Sequence, residues 1–125
     1  MNNAAPLLQL SSIGKQFGGL TALSDVSLHI QRCEIYGLIG PNGAGKTTTM
    51  QMLTGCLSTN SGSIEICGID LAQKPTLAKT HLGYLPETPP LYRELTVNDY
   101  LTFAARLRGM KSTEVSAALA QAKQR

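Results

Sequence analysis

The segment Gly40-Pro41-Asn42-Gly43-Ala44-Gly45-Lys46-Thr47 constrains this chain more than any other stretch. It has the form Gly-x-x-x-x-Gly-Lys-Thr, and each fixed position has a physical reason. A polyphosphate needs several hydrogen-bond donors converging on one point. Backbone N–H groups supply them when the chain curls tightly around an anion, and glycine permits both the dihedrals and the close approach. A helix starting where the loop ends directs its positive end to the same place. Lys46 adds a charge within reach of β- and γ-phosphates, and the Thr47 hydroxyl is a hard oxygen ligand suited to Mg2+.

The flanking sequence supplies the context such a loop requires. Ile35-Tyr36-Gly37-Leu38-Ile39 is a short continuous apolar run, which predicts a strand covered on both faces, as in a parallel sheet. After the loop, Met50, Leu53 and Leu57 recur at one-face spacing and predict a helix from Lys46 to Leu57. Thr47-Thr48-Thr49 is β-branched and a poor helix start. Local rules of this kind are broken where function demands it.

Elsewhere the pattern is ordinary. Leu7, Leu8, Leu10 and Ile13 predict a first strand. Leu23 to Ile30 predicts a second, with Val26, Leu28 and Ile30 on one face, and Gly18-Gly19 turns between them. Ser61-Gly62 reads as a turn before a strand containing Ile64 and Ile66, which Gly68 ends. A short helix runs through Leu77, and Leu82 to Leu85 reads as a further strand. Pro86, Pro89 and Pro90 exclude regular structure from the next segment. Thr96-Val97-Asn98-Asp99 resembles a capping box. The helix it opens has an apolar face of Val97, Leu101, Ala104 and Ala105, and Gly109 stops it. Ser112 is expected to cap one more helix.

The chain has 125 residues, 42% of them hydrophobic, which suits one small domain with a packed core. It lacks Trp, so that core must be aliphatic. The net charge of +3 is concentrated in residues 106–125, where Arg106, Arg108, Lys111, Lys123 and Arg125 outweigh Glu114. No aromatic is interleaved with these charges, which argues for a solvated helix face over base stacking. Cys33, Cys56 and Cys67 form no CxxC pair. An odd count suits a reducing compartment, and the three are expected to be small buried hydrophobes. The start lacks a basic n-region and an apolar h-region, and no apolar run approaches the ~20 residues of a membrane span. The chain is therefore expected to be soluble.

The text from Leu38 to Thr48 closely resembles the Walker A segment of ABC transporter ATPases. The order around it is similar to that family too. Lys15-Gln16-Phe17-Gly18-Gly19 and Val26-Ser27-Leu28 lie upstream. Ser61-Gly62-Ser63-Ile64, Gly83-Tyr84-Leu85-Pro86-Glu87 and Leu95-Thr96-Val97 lie downstream. The similarity runs from residue 7 to about residue 120. It implies an α/β fold: an incomplete P-loop NTPase core with an antiparallel β subdomain and the start of a helical subdomain. Residues 1–85 would form the β subdomain and core, 86–95 the Q-loop region, and 96–125 the helical start.

The resemblance also implies roles. Phe17 would stack on the adenine of ATP. Gly40, Pro41, Asn42, Gly43, Ala44, Gly45, Lys46, Thr47 and Thr48 would hold its phosphates, and Thr47 would hold Mg2+. Glu87 stands at the Q-loop position, where it would meet Mg2+ or the attacking water. The family usually has Gln there; a carboxylate remains a hard ligand but cannot donate a hydrogen bond when ionised. The spelling Leu85-Pro86-Glu87-Thr88-Pro89-Pro90-Leu91-Tyr92 is similar to ABC ATPases that serve ABC-2-type exporters. Cys33-Glu34 replaces the usual Gly-Glu, which would strain a turn that needs positive φ.

No LSGGQ signature, Walker B carboxylate or switch histidine is present; His29 and His81 precede the Q-loop and are expected to be structural or surface residues. The chain is thus expected to be the N-terminal part of one ATPase domain, holding phosphates without turning ATP over by itself. Leu38 and its neighbours would expose an apolar face, so marginal stability is expected. The partners implied are a transmembrane permease and a second ABC ATPase domain, in a homodimer or otherwise, with no direct nucleic acid. The implied location is cytoplasmic, peripheral on the inner face of the cell membrane. A soluble ABC ATPase acting on ribosomes or DNA, and a non-functional remnant, stay open as alternatives. Co-purification with a membrane protein or with ribosomes separates the first two.

Overall fold

The computed structural model describes residues 4–43 and 45–125. Their contacts divide into two compact units, Met1–Tyr84 and Leu85–Arg125.

The first unit is built on β1 (Leu8–Phe17) and β2 (Leu20–Ile30), an antiparallel hairpin turned by Gly18-Gly19. β3 (Ser61–Ile66) pairs antiparallel with the other edge of β1, and β4 (Ile69–Asp70) pairs with β3, giving the order β2-β1-β3-β4. Val26, Leu28 and Ile30 are half-buried while Ser27 and His29 are exposed, as the alternation requires. Cys67 and Gly68 both have positive φ, the backbone a two-residue primed turn needs, and they join β3 to β4. Ser61-Gly62 is no turn but the start of β3. Gly62 crosses the bulge in β1 near Ser12, where an added Cβ would come within 2.4 Å of the Ser11 and Ser12 carbonyl oxygens.

Two helices cover this sheet: α1 (Lys46–Leu53) and α2 (Pro75–Lys79). Leu10 and Ile13 of β1, Leu23 of β2, Ile64 of β3, Met52 of α1 and Ala78 of α2 meet in one apolar core. The buried face of α1 is Thr49 and Met52, whereas Met50 is exposed and the helix ends at Leu53, short of Leu57. Thr49 tolerates burial because its hydroxyl donates to the Gly45 carbonyl at 2.8 Å, satisfying its polar atom inside the helix. The early stop is a Schellman motif. Cys56 N–H donates to Gln51 O at 2.9 Å and Gly55 N–H to Met52 O at 3.1 Å.

Two expected strands do not form. Residues 35–39 and 82–85 have no ladder partner among the described residues, and Ile35, Ile39 and Leu85 are largely exposed. A strand exists through its pairs, and neither run has any among the described residues. The cysteines also differ from expectation: all three are exposed. Cys33 and Cys67 occupy turn positions with φ of 65° and 52°, and Cys56 follows the end of α1, so none can reach the core. Cys33 thus carries the positive φ that its place before Glu34 foreshadowed. The turn is held by Gln31 N–H donating to Glu34 Oε2 at 2.7 Å.

The second unit contains α3 (Val97–Leu107) and α4 (Ser112–Lys123), packed on each other. Thr96 caps α3: its Oγ1 accepts from Asp99 N–H at 3.2 Å and donates to Asp99 Oδ2 at 2.7 Å. Gly109 and Met110 end α3 in a second Schellman motif, on Arg106 O and Ala105 O. Leu101, Ala104 and Ala105 are partly covered, but Val97 at the first helical position is exposed. Lys111, not Ser112, is the N-cap of α4, and no side chain caps it. Lys123 Nζ donates to Asn98 Oδ1 at 2.9 Å, tying the end of α4 to the start of α3. The basic residues of 106–125 are all exposed, as a solvated face requires. The proline-rich loop is pinned to α3 by aromatic side chains. Tyr100 donates its hydroxyl proton to Pro90 O at 3.2 Å, and Tyr92 meets Phe103 edge to face at 6.0 Å. Among the described residues no helix is long and apolar enough to cross a membrane.

Candidate functional site

The glycine loop runs directly into α1. Gly45 is its N-cap residue, at φ 93°, a conformation open to glycine at little cost. Space imposes the same choice. A Cβ on Gly45 would come within 2.6 Å of Leu23 Cδ2 and 3.1 Å of Ala22 O. The loop is therefore braced against β2, and Leu23 is anchored in the core in turn. Gly43 also has positive φ, 85°, but nothing lies within 4 Å of where its Cβ would stand.

Thr49 N–H closes the first i→i−4 bond of the helix, onto Gly45 O at 2.9 Å. The amides ahead of it belong to the free first turn, where an anion finds unpaired donors and the positive end of the helix dipole. No acidic side chain lies in that turn to oppose an anion. Lys46 Nζ donates to the Gly40 carbonyl, so the ammonium reaches back from the end of the loop to its beginning.

Above the loop lies a cleft of about 490 Å³, lined by Phe17, Leu20, Thr21 and Ala22 from the hairpin and by Asn42, Gly43, Gly45, Lys46, Thr47 and Thr48. Seven of the residues singled out from sequence thus share one cavity, the aromatic ring among them. Gly40 and Pro41 belong to the loop but do not line the cleft, and Ala44 lies outside the described residues. Glu87 is exposed in the second unit. Leu20, Thr21 and Ala22 were missed by sequence reasoning. Hairpin register was the available signal, because a two-residue turn at Gly18-Gly19 sets Leu20 opposite Phe17 and Thr21 opposite Gln16.

The donor chemistry of the cleft fits a hydrated divalent cation carried in on phosphates. Thr47 is exposed, and its hydroxyl makes no hydrogen bond among the described residues, whereas the Thr49 hydroxyl is already committed to Gly45 O. One hydroxyl plus phosphate oxygens and water is the kind of set Mg2+ accepts.

A glycine loop braced on an antiparallel hairpin and leading into a helix is the arrangement of a P-loop nucleotide-binding protein. Comparison with known proteins narrows the class. The sequence profile of the ABC transporter family matches residues 23–125. The chain is 43% identical over 104 residues to the uncharacterized ABC transporter ATP-binding protein YxlF of Bacillus subtilis, covering 83% of this chain and 34% of that protein. It is 38% identical over 105 residues to YbhF of Escherichia coli, a probable multidrug ABC transporter ATP-binding protein, covering 84% and 18%. A solved structure of an ATP-binding subunit of an ABC transporter superposes with a TM-score of 0.79 at 37% identity, covering 86% of this chain and 45% of the other. The chain belongs to the ABC transporter family. It spans about a third of the length of YxlF and less than a fifth of YbhF.

Proposed function

We propose that the cleft holds Mg·ATP and that the chain is the nucleotide-holding part of an ABC transporter ATPase. The observation that carries this reading is the shared cavity. Asn42, Gly43, Gly45, Lys46 and Thr47 share it with the half-exposed Phe17 ring, the two kinds of partner that a nucleotide with an anionic tail and a planar base needs. In this reading Gly40, Pro41, Asn42, Gly43, Ala44, Gly45, Lys46, Thr47 and Thr48 form the phosphate loop. Its main-chain donors and the first turn of α1 take the β- and γ-phosphates. Lys46 exchanges the Gly40 carbonyl for a phosphate oxygen, and Thr47 holds Mg2+, which neutralises charge on the phosphates when bound. Phe17 stacks on adenine; stacking of this kind is worth about 1–3 kcal/mol per base. Glu87, at the position of the Q-loop, is assigned to Mg2+ or the attacking water and to signalling toward the permease.

Hydrolysis, pairing with a second ABC ATPase domain and coupling to a transmembrane permease at the inner face of the membrane belong to the complete assembly. The family membership and the transporter names of the relatives support that extension. The test is Lys46→Ala with calorimetric titration of Mg·ATP. Removing the ammonium should weaken binding at least tenfold, given that charge-assisted bonds contribute about 1.5–3 kcal/mol. Unchanged affinity would remove the phosphate site from this loop.

A further inference from the structure

Lys15 buries its stem while its ammonium still reaches solvent. It is only 9% exposed, and its Nζ stands over the ring of Phe17 at 5.4 Å from the centroid. Among the described residues no carboxylate or other acceptor hydrogen-bonds that ammonium, so the ring is its electrostatic partner. The negative face of an aromatic ring attracts an ammonium that stands over it. Lys15 and Phe17 are two residues apart on β1, beside a register shift between Lys15 and Gln16. Phe17 lines the cleft and Lys15 does not. The ammonium over the ring is thus not part of the cleft lining.

We propose that Lys15 is a positioning residue for the base: its ammonium pins one face of Phe17 and thereby presents the opposite face, fixed and electron-poor, to a purine in the cleft. The proposal rests on the reading of Phe17 as the base platform. Phe17 is the last residue of β1, next to Gly18-Gly19, and is 47% exposed. A ring so placed would lose rotamer freedom on binding, and a partner that holds it beforehand lowers that cost. A cation on one face also draws density from the ring, which favours stacking of an electron-rich base on the other.

Two ligands separate this role from a phosphate or folding role. Mg·ATP carries a base and magnesium tripolyphosphate does not. Both are titrated calorimetrically into the wild type, Lys15→Met, Lys15→Arg, Phe17→Leu and the double variant Lys15→Met/Phe17→Leu. Lys15→Met should weaken Mg·ATP about fivefold and leave tripolyphosphate unchanged. Lys15→Arg, which keeps a cation for the ring, should restore Mg·ATP binding. In the Phe17→Leu background, Lys15→Met should cost nothing further. Equal losses for both ligands, no loss for either, or an additive loss in the double variant would each overturn the proposal. If Lys15→Met does not fold, Lys15→Gln gives the same contrast. An unaltered preference for ATP over tripolyphosphate in Phe17→Leu removes the base platform, and Lys15 with it. Failure of Lys46→Ala to weaken either ligand is a separate result that sinks the phosphate reading alone.

Discussion

Gly43 and Gly45 share a backbone conformation but not an environment. Both have positive φ, yet a side chain at Gly45 would strike Leu23, whereas one at Gly43 would project into open space. The two alanine substitutions should therefore differ. Gly43→Ala adds only the conformational cost, about 1–2 kcal/mol. Gly45→Ala adds that cost plus a clash with a core leucine, so its total should reach about 3 kcal/mol or more. Urea unfolding followed by circular dichroism measures both. Leu23→Ala carries its own core cost of about 2–5 kcal/mol, so relief of the clash should show as a double variant less destabilised than the sum of the two single variants. Equal effects at the two glycines would mean that the loop does not lean on β2. Much of the cleft could be read at this scale, because the glycine, lysine and threonine positions follow from the chemistry of binding an anion. Leu20, Thr21 and Ala22 could not be read by residue type, since nothing about their side chains names a ligand; hairpin register places Leu20 and Thr21 there, and Ala22 falls at a register shift.

Single elements differ in how far local chemistry determines them. Helix α3 is written almost entirely in its own residues: Thr96 and Asp99 at its start, an apolar stripe along it, Gly109 after it. Its cap can be tested alone. Thr96→Ala removes the acceptor of the Asp99 N–H and should cost about 1 kcal/mol, read as a lower unfolding midpoint and reduced helical ellipticity. A change below about 0.3 kcal/mol would show that packing on α4, and not the cap, holds the start of this helix. The runs at 35–39 and 82–85 are the opposite case. Their composition suits a buried strand, but strand pairing depends on residues distant in sequence, and apolar character cannot name them. The cysteines mislead for a related reason. Their chemistry prefers burial, yet Cys33 and Cys67 stand at positive φ in turns, and a turn determines exposure before side-chain type does.

At the scale of the whole molecule, the core is small and the surface is unusually apolar in one stretch. Ile35 and Ile39 project almost fully into solvent, with Tyr36 and Leu38 between them also exposed. An apolar strip without ladder partners is a template for association. The 125-residue chain should therefore unfold at low urea or self-associate at micromolar concentration. Ile35→Lys/Ile39→Lys should raise the monomer fraction in sedimentation velocity without lowering the unfolding midpoint, because neither side chain contributes to the core. A lowered midpoint would mean that these residues are buried in solution. A steep transition at high urea in the unaltered chain would contradict the marginal stability itself.

The hairpin of β1 and β2 has a consequence of its own. One end carries the aromatic ring, and a few residues along, Leu23 braces the glycine loop. The same two strands therefore carry both the ring and the brace of the loop, like two jaws on one hinge. A shift in the twist of that hairpin should disturb the ring and the glycine loop together.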